Sequence, residues 1–108
     1  MEEYIQIAFQ IIGTVGQAKS LVMEGIHAAR EGNYILAEEK ISESNSFYSE
    51  AHHFHQDLVT REANGEELKY SIIFMHAEDQ LMSVETITLL AKEIINLYKL
   101  SKGSEIFG

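Results

Sequence analysis

Three long stretches with helical spacing, separated by glycine-containing breaks, constrain this chain most strongly. The sequence contains no proline, the residue that most often ends or kinks a helix. Apolar residues recur every three or four positions within about 3–30, 34–63 and 68–102, which is typical of amphipathic helices. Gly32 and Gly65 stand in the two breaks, where glycine commonly ends a helix. The sequence therefore predicts an all-α protein, folded as an antiparallel three-helix bundle.

The apolar stripes of the first two helices predict which residues form the core. The first stripe consists of Ile5, Ala8, Ile12, Val15, Val22, Ile26 and Ala29. The second stripe consists of Tyr34, Ala37, Ile41, Ser44, Tyr48, Ala51, His55 and Leu58. Each stripe keeps the 3–4 spacing that places its members on one helical face.

Length and composition exclude several classes of protein. A chain of 108 residues favours one domain, spanning 1–108. Without cysteine, disulfides, thiolate zinc sites and cysteine nucleophiles are excluded. The apolar runs are shorter than the ~20 residues that cross a bilayer, and the acidic start Met1-Glu2-Glu3 lacks the basic region of a secretory signal, so a cytoplasmic protein is expected. The formal net charge of −9 disfavours nucleic acid and membrane surfaces; it either attracts a basic protein or only maintains solubility.

The third predicted helix carries two adjacent apolar seams instead of one. The first seam consists of Phe74, Ala77, Leu81, Val84, Thr88, Ala91, Ile95 and Tyr98. The second seam consists of Ile73, His76, Gln80, Ser83, Ile87, Leu90, Ile94 and Leu97. The opposite face, predicted to face solvent, carries Glu78, Glu85, Lys92 and Asn96. So wide an apolar arc must pack against more than one neighbour, and we therefore expect self-assembly through this helix.

Four polar side chains share the face of the second seam. His76, Asp79, Gln80 and Ser83 stand at i, i+3, i+4 and i+7, so they are neighbours on a helix. Burying such groups costs a few kcal/mol unless they find partners. Two interpretations stay open: His76 and Asp79 are paired structural residues of an interface, or the cluster is a functional site in a groove between subunits.

The residue pattern argues against several chemistries for this cluster. A Ser-His-Asp triad would lack a glycine-rich oxyanion turn, and Ser83 stands two turns from His76 on one helix. A di-iron bundle needs two Glu-x-x-His motifs; Glu50 begins one, but Ile73 stands where the second needs glutamate. A phosphate-binding P-loop is absent from the sequence. The remaining chemistry for a single helical histidine is nucleophilic acceptance of a phosphoryl group.

The segment around His76 resembles a known active-site signature. Met75-His76-Ala77-Glu78-Asp79-Gln80-Leu81-Met82-Ser83 resembles the signature Met/Val-His-Ala/Gly-Gln-Asp-His-Leu-Met. That signature belongs to enzyme IIA proteins of the lactose/cellobiose (diacetylchitobiose) class of the sugar phosphotransferase system. Further similar stretches cover nearly the whole chain in order, namely Ile12 to Ser20, Ala28 to Tyr34, Glu50-Ala51-His52, Gln56, Glu62 to Glu67, and Tyr70-Ser71.

The resemblance implies a phosphoryl carrier that forms a homotrimer of three-helix subunits. In that family HPr donates a phosphoryl group to the signature histidine, and a cysteine of enzyme IIB, which feeds the IIC transporter, receives it. His76 is therefore the expected phosphorylated residue. One Asp79 per subunit is expected near the trimer axis, where carboxylates suit Mg²⁺ or a similar divalent cation in a structural role. The expected cargo is a β-linked disaccharide of the cellobiose/chitobiose or lactose type.

Three positions depart from the family pattern. Glu78 replaces the usual glutamine, Gln80 replaces a histidine, and Lys69 replaces a proline. Gln80, one turn from His76, can still donate an amide hydrogen bond to a phosphoryl oxygen. The charge of Glu78 opposes phosphoryl transfer unless its side chain points towards solvent, as the helical spacing predicts.

The other histidines suggest no second site. His52, His53 and His55 form a run that could bind a transition metal, but no second ligand cluster accompanies them, so structural or adventitious roles are expected. His27 is expected at the surface. The competing interpretation of the whole chain is a non-catalytic helical adaptor or metal-binding bundle that uses the second seam only for assembly.

Overall fold

Three long helices make up the computed structural model, which describes residues 3–69 and 71–102. Helix α1 spans Glu3–Arg30, α2 spans Tyr34–Ala63 and α3 spans Ile72–Lys102, in an elongated molecule of 61 × 21 × 17 Å. The predicted all-α three-helix fold is confirmed. None of the described helices contains a segment long and apolar enough to cross a bilayer. Met1, Glu2 and Tyr70, which entered the sequence argument, lie outside the described residues.

Glycines end α1 and α2 by the same hydrogen-bonding pattern. Gly32 and Gly65 have φ angles of 83° and 92°, a left-handed conformation that glycine adopts without strain. The N–H of Gly32 donates to the carbonyl oxygen of Ala29 at 3.0 Å, and the N–H of Asn33 donates to that of Ala28 at 2.9 Å. This pair of bonds is a Schellman motif. It stops each helix at the boundary that the sequence predicted.

Helix α3 begins later than predicted. The apolar spacing suggested a start at about position 68, whereas the structure places the first helical residue at Ile72. The physical reason is a side-chain cap: the hydroxyl oxygen of Ser71 accepts the N–H of Phe74 at 3.1 Å, satisfying a donor that has no partner within the helix. The predicted extension back to Leu68 is therefore wrong.

The core lies where α1 packs against both other helices, whereas α2 and α3 touch each other less. The first seam of α3 is confirmed, since its apolar members from Phe74 to Ile95 are at most 5% exposed. The stripe on α2 is also confirmed as its inner face. The stripe on α1 was incomplete, because Ile11, Ala18 and Leu21 are buried too. A helix that contacts two neighbours buries a wider arc than a single stripe.

The face of α3 that was predicted to face solvent borders a groove between α2 and α3, the α2–α3 groove. The residues Glu78, Glu85, Lys92 and Asn96 all line recesses along it. Glu85, Lys92 and Asn96 remain exposed there, while Glu78 is half-buried. The predicted solvent orientation of Glu78 is therefore wrong, because the neighbouring helix α2 lies across from it.

Candidate functional site

His76 is exposed on the second turn of α3. Its neighbours on the same turn anchor the backbone, since Phe74 is 5% and Ala77 is 1% exposed. Successive side chains of a helix point in different directions, so a turn packed on one side can present a free imidazole on the other. The structure therefore combines a fixed backbone with a ring that an approaching molecule can reach.

The predicted polar cluster is brought together on one face of α3. His76 and Asp79 are exposed, and Gln80 and Ser83 are half-buried. Within residues 3–69 and 71–102, neither His76 nor Asp79 has a side-chain hydrogen bond or ion pair. The interpretation of these two residues as a mutually satisfied pair therefore does not hold within one chain. Both side chains remain available for other partners.

An exposed apolar band continues the same face towards the end of α3. Leu90 is 58%, Ile94 is 38% and Leu97 is 64% exposed, and all three follow Ser83 at helical spacing. We call these three residues the α3 band. Each fully buried side chain of this kind is worth about 1.5–3 kcal/mol. A contiguous exposed band next to a polar cluster is therefore typical of a surface that another protein covers.

Glu78, two residues after His76, points towards helix α2. Its Oε2 atom lies 2.8 Å from Nε2 of His55 on α2, and the two side chains are 29% and 23% exposed. Together with apolar side chains such as Leu58 and Phe74, this pair lines a small cavity of about 40 Å³. The Glu78 carboxylate, whose charge would oppose phosphoryl transfer beside His76, is thus held in the α2–α3 groove.

Sequence reasoning did not identify His55 as the partner of Glu78. The signal was present, because His55 falls on the inner stripe of α2 whereas His52 and His53 do not. His52 instead stacks on Tyr48 with ring centroids 6.0 Å apart, and His53 is exposed. The three histidines therefore have different surroundings, and their adjacency in sequence does not gather them.

No group of three or more potential metal-ligating side chains forms among the described residues of one chain. The histidine run thus builds no metal site within the described chain, and His27 is exposed as expected. The predicted cation site at Asp79 requires one carboxylate from each of several copies. It stays a prediction.

Tyr48 marks the middle of the α2–α3 groove. Burial raises the pKa of its hydroxyl above the usual 10.0, and the neighbouring Glu85 carboxylate raises it further. Both influences disfavour the phenolate, because it would add a second negative charge to a partly buried site. Tyr48 is therefore held as a neutral side chain, and it takes part in packing more readily than in proton transfer.

Comparison with known proteins identifies the family. The family model described as "PTS system, Lactose/Cellobiose specific IIA subunit" matches residues 6–99. The chain belongs to this family. The lichenan-specific phosphotransferase enzyme IIA component of Bacillus subtilis is 40% identical over 98 residues, covering 91% of this chain and 89% of the relative. The resemblance drawn from the sequence is thereby confirmed.

Solved structures agree with this assignment to the lactose/cellobiose IIA family. The crystal structure of the cellobiose-specific enzyme IIA from Bacillus anthracis matches with a TM-score of 0.93 and 38% identity, covering 95% of this chain and 94% of that one. The chitobiose IIA protein of Escherichia coli, solved in a complex with HPr, matches with a TM-score of 0.75 and 26% identity, covering 94% and 99%. The three-helix fold of this phosphotransferase-system component is therefore shared with its relatives.

Proposed function

We propose that this IIA component carries a phosphoryl group on His76, accepting it from phospho-HPr and passing it to a cysteine of enzyme IIB, which feeds the IIC transporter. The observation that carries the proposal is the exposed imidazole on a turn whose backbone is packed into the core. Two different proteins must reach the acceptor in succession, and a ring sealed inside the bundle would prevent this. The family assignment and the HPr complex of the chitobiose relative support the same partners.

The chemistry requires little more than alignment and charge stabilisation. A ring nitrogen of His76 attacks the phosphorus, and the bond between the phosphorus and HPr breaks as the phosphorus–nitrogen bond forms. In the second step the thiolate of enzyme IIB attacks the same phosphorus and releases the imidazole. Gln80, one turn from His76, donates an amide hydrogen bond to a phosphoryl oxygen in either step.

We further propose that three copies assemble around the α3 band. The support is the exposure of Leu90, Ile94 and Leu97 on the face that also carries Asp79. One Asp79 per subunit would then approach the threefold axis, where three carboxylates repel one another unless a cation or protons intervene. Carboxylate oxygens fit Mg²⁺ or a similar divalent cation, and the role of the ion is structural.

The proposed cargo of the pathway is a β-linked disaccharide of the cellobiose/chitobiose or lactose type, handled in the cytoplasm. The names of the family and of the relatives support this range. The single domain predicted for 1–108 suits a carrier that docks between larger partners. Pairwise assays with enzyme IIB proteins of known sugar specificity, scored by phosphoryl transfer, would narrow the choice.

A mass measurement tests the carrier function directly. The protein is incubated with enzyme I, HPr and phosphoenolpyruvate, and its intact mass is recorded. We expect a gain of one phosphoryl group per chain that is absent in His76→Ala and retained in His53→Ala, whose exposed histidine is the matched control. No gain with a donor mixture that phosphorylates another IIA protein would contradict the proposal and favour the helical adaptor.

A further inference from the structure

The strongest feature that the proposed function leaves unused is the pair formed by His55 and Glu78. The Nε2 atom of His55 on α2 lies 2.8 Å from the Oε2 atom of Glu78 on α3. Glu78 stands two residues after the proposed acceptor His76. Both are half-buried, so water screens their interaction less than it would on an open surface. The pair therefore fixes a negative charge at a defined position close to the site.

No lysine or arginine forms an ion pair with Glu78 in the described part of the chain. Arg61, on the same stretch of α2, is engaged elsewhere: its guanidinium lies 2.7 Å from Glu3 and 3.2 Å from Asp57. Glu62 lines the same small cavity and adds negative charge. The remaining lining is apolar and consists of Leu58, Val59, Leu68 and Phe74. His55 thus supplies a hydrogen-bond partner to a carboxylate in surroundings that otherwise disfavour one.

We propose that His55 is a positioning residue for phosphoryl transfer. This inference rests on the proposed function of His76 as the phosphoryl acceptor. His55 holds the Glu78 carboxylate against α2, on the side of α3 turned away from the acceptor ring. Residues two apart on a helix lie on nearly opposite sides, so the carboxylate and the phosphoryl group are separated by about 10 Å, the width of a helix. Without His55 the carboxylate is unpaired and free to rotate towards solvent.

A carboxylate that leaves the groove can approach the acceptor ring more closely, and it then slows the reaction by repulsion. The incoming phosphoryl group is anionic, and the chain already carries a net charge of −9. Coulomb repulsion across about 6–7 Å, at an effective dielectric constant of about 40 and weakened by ~0.1 M salt, corresponds to a rate reduction of roughly three- to tenfold. A structural loss at α3 would also slow the reaction, but it would not depend on the charge of Glu78.

The test is a set of four proteins compared by the initial rate of phosphorylation from phospho-HPr. We expect His55→Ala to be about three- to tenfold slower than the wild type, and Glu78→Gln to stay within about twofold of it. The double variant His55→Ala with Glu78→Gln should recover to within about twofold of the wild type. The defect of His55→Ala should also shrink at ~1 M salt, where screening is nearly complete beyond ~3 Å. His53→Ala is the exposed control and should match the wild type.

Two results would overturn the proposal. One is a His55→Ala rate equal to that of the wild type at low salt. The other is a slow double variant, because His55 would then act on the fold and not through the carboxylate. Thermal unfolding verifies that each variant is folded, and His55→Leu, which also lacks a hydrogen-bond donor, replaces the alanine variant if that one is not. A wild type that takes no phosphoryl group refutes the carrier function itself, which separates the two failures.

Discussion

The ammonium group of Lys99 lies 2.7 Å from a carboxylate oxygen of Glu38 and joins the end of α3 to the start of α2. Beside it, the hydroxyl of Tyr34 donates to the carbonyl oxygen of Tyr98 at 3.2 Å, and Lys99 lies 6.0 Å from the centroid of the Tyr34 ring. These contacts close the α2–α3 groove at the end opposite to His55. The sparse direct packing of α2 against α3 is thus supplemented by polar contacts at both ends.

The Lys99–Glu38 pair predicts a loss of stability in acid. The hydrogen bond from Lys99, and then its charge, lower the pKa of Glu38 below the ordinary 4.5. A carboxyl group whose pKa falls on folding stabilises the protein above pH 4.5, and this contribution is lost as the pH falls through the folded-state pKa. Lys99→Gln should therefore be less stable than the wild type near neutral pH, and the difference should vanish in acid.

Chemical unfolding at several pH values measures this difference. Lys19→Gln, which removes an exposed lysine of α1, controls for the change in net charge. The expected effect is small because the Glu38 side chain is 66% and the Lys99 side chain 37% exposed to water. A difference between the wild type and Lys99→Gln that persists unchanged in acid would contradict the assignment to Glu38.

Ser44→Ala should stabilise the bundle. Ser44 is 1% exposed on the inner stripe of α2, and its hydroxyl oxygen is buried without a hydrogen-bond partner among the described residues. An unsatisfied buried hydroxyl costs about 1–3 kcal/mol, and alanine is also the better helix former. We expect the unfolding free energy to rise by about 1 kcal/mol, measured by urea denaturation. The exposed Ser42→Ala should give a smaller gain; an equal gain would mean that propensity alone is responsible.

Leu90→Glu should separate the copies of the protein. Leu90 is 58% exposed in the α3 band, and a charge there would be buried without a partner in the proposed trimer. Sedimentation equilibrium should give a trimer for the wild type and a monomer for the variant. Ile35→Glu, at an α2 residue that is 77% exposed, should leave the mass unchanged. A Leu90→Glu protein that keeps the trimer mass would place the assembly surface elsewhere.

Asp79→Leu should stabilise the assembly when divalent cations are removed. If three Asp79 carboxylates meet at the axis, their repulsion is relieved by an apolar residue, with a gain on the order of 1 kcal/mol per subunit. Thermal unfolding in the presence of a chelator provides the measurement. Glu39→Leu, at another exposed carboxylate, tests whether lower net charge alone is enough. A lower melting temperature for Asp79→Leu than for the wild type would contradict this account.

The spacing of apolar residues and the glycines predicted the helices and most of their ends. They did not predict every helix start or every contact between helices. The ends of α1 and α2 were predictable because Gly32 and Gly65 each allow the left-handed turn that stops a helix. The start of α3 was not, because apolar spacing continues back to Leu68 and hides the cap at Ser71. A cap depends on one hydrogen bond, to which periodicity is insensitive.

The candidate site was likewise predictable within one helix but not between helices. The shared face of His76 and Asp79 follows from spacing within one helix, and the structure places them accordingly. The contact between Glu78 and His55 depends on how α2 and α3 are rotated about α1. A pattern within one helix defines its faces but not which neighbour each face meets, so this partner required the structure.

The start of α3 at Ile72 has a further consequence for an anion carried by His76. His76 stands four positions after Ile72, the first residue of the helix, and helical side chains lean back towards the N-terminus. An attached anion would thus lie over the first turn, where the backbone amide groups carry partial positive charge. Their interaction with the anion would be favourable by about 0.3–1 kcal/mol. This favourable potential belongs to the main chain, so it persists whatever side chains evolution places around the ring.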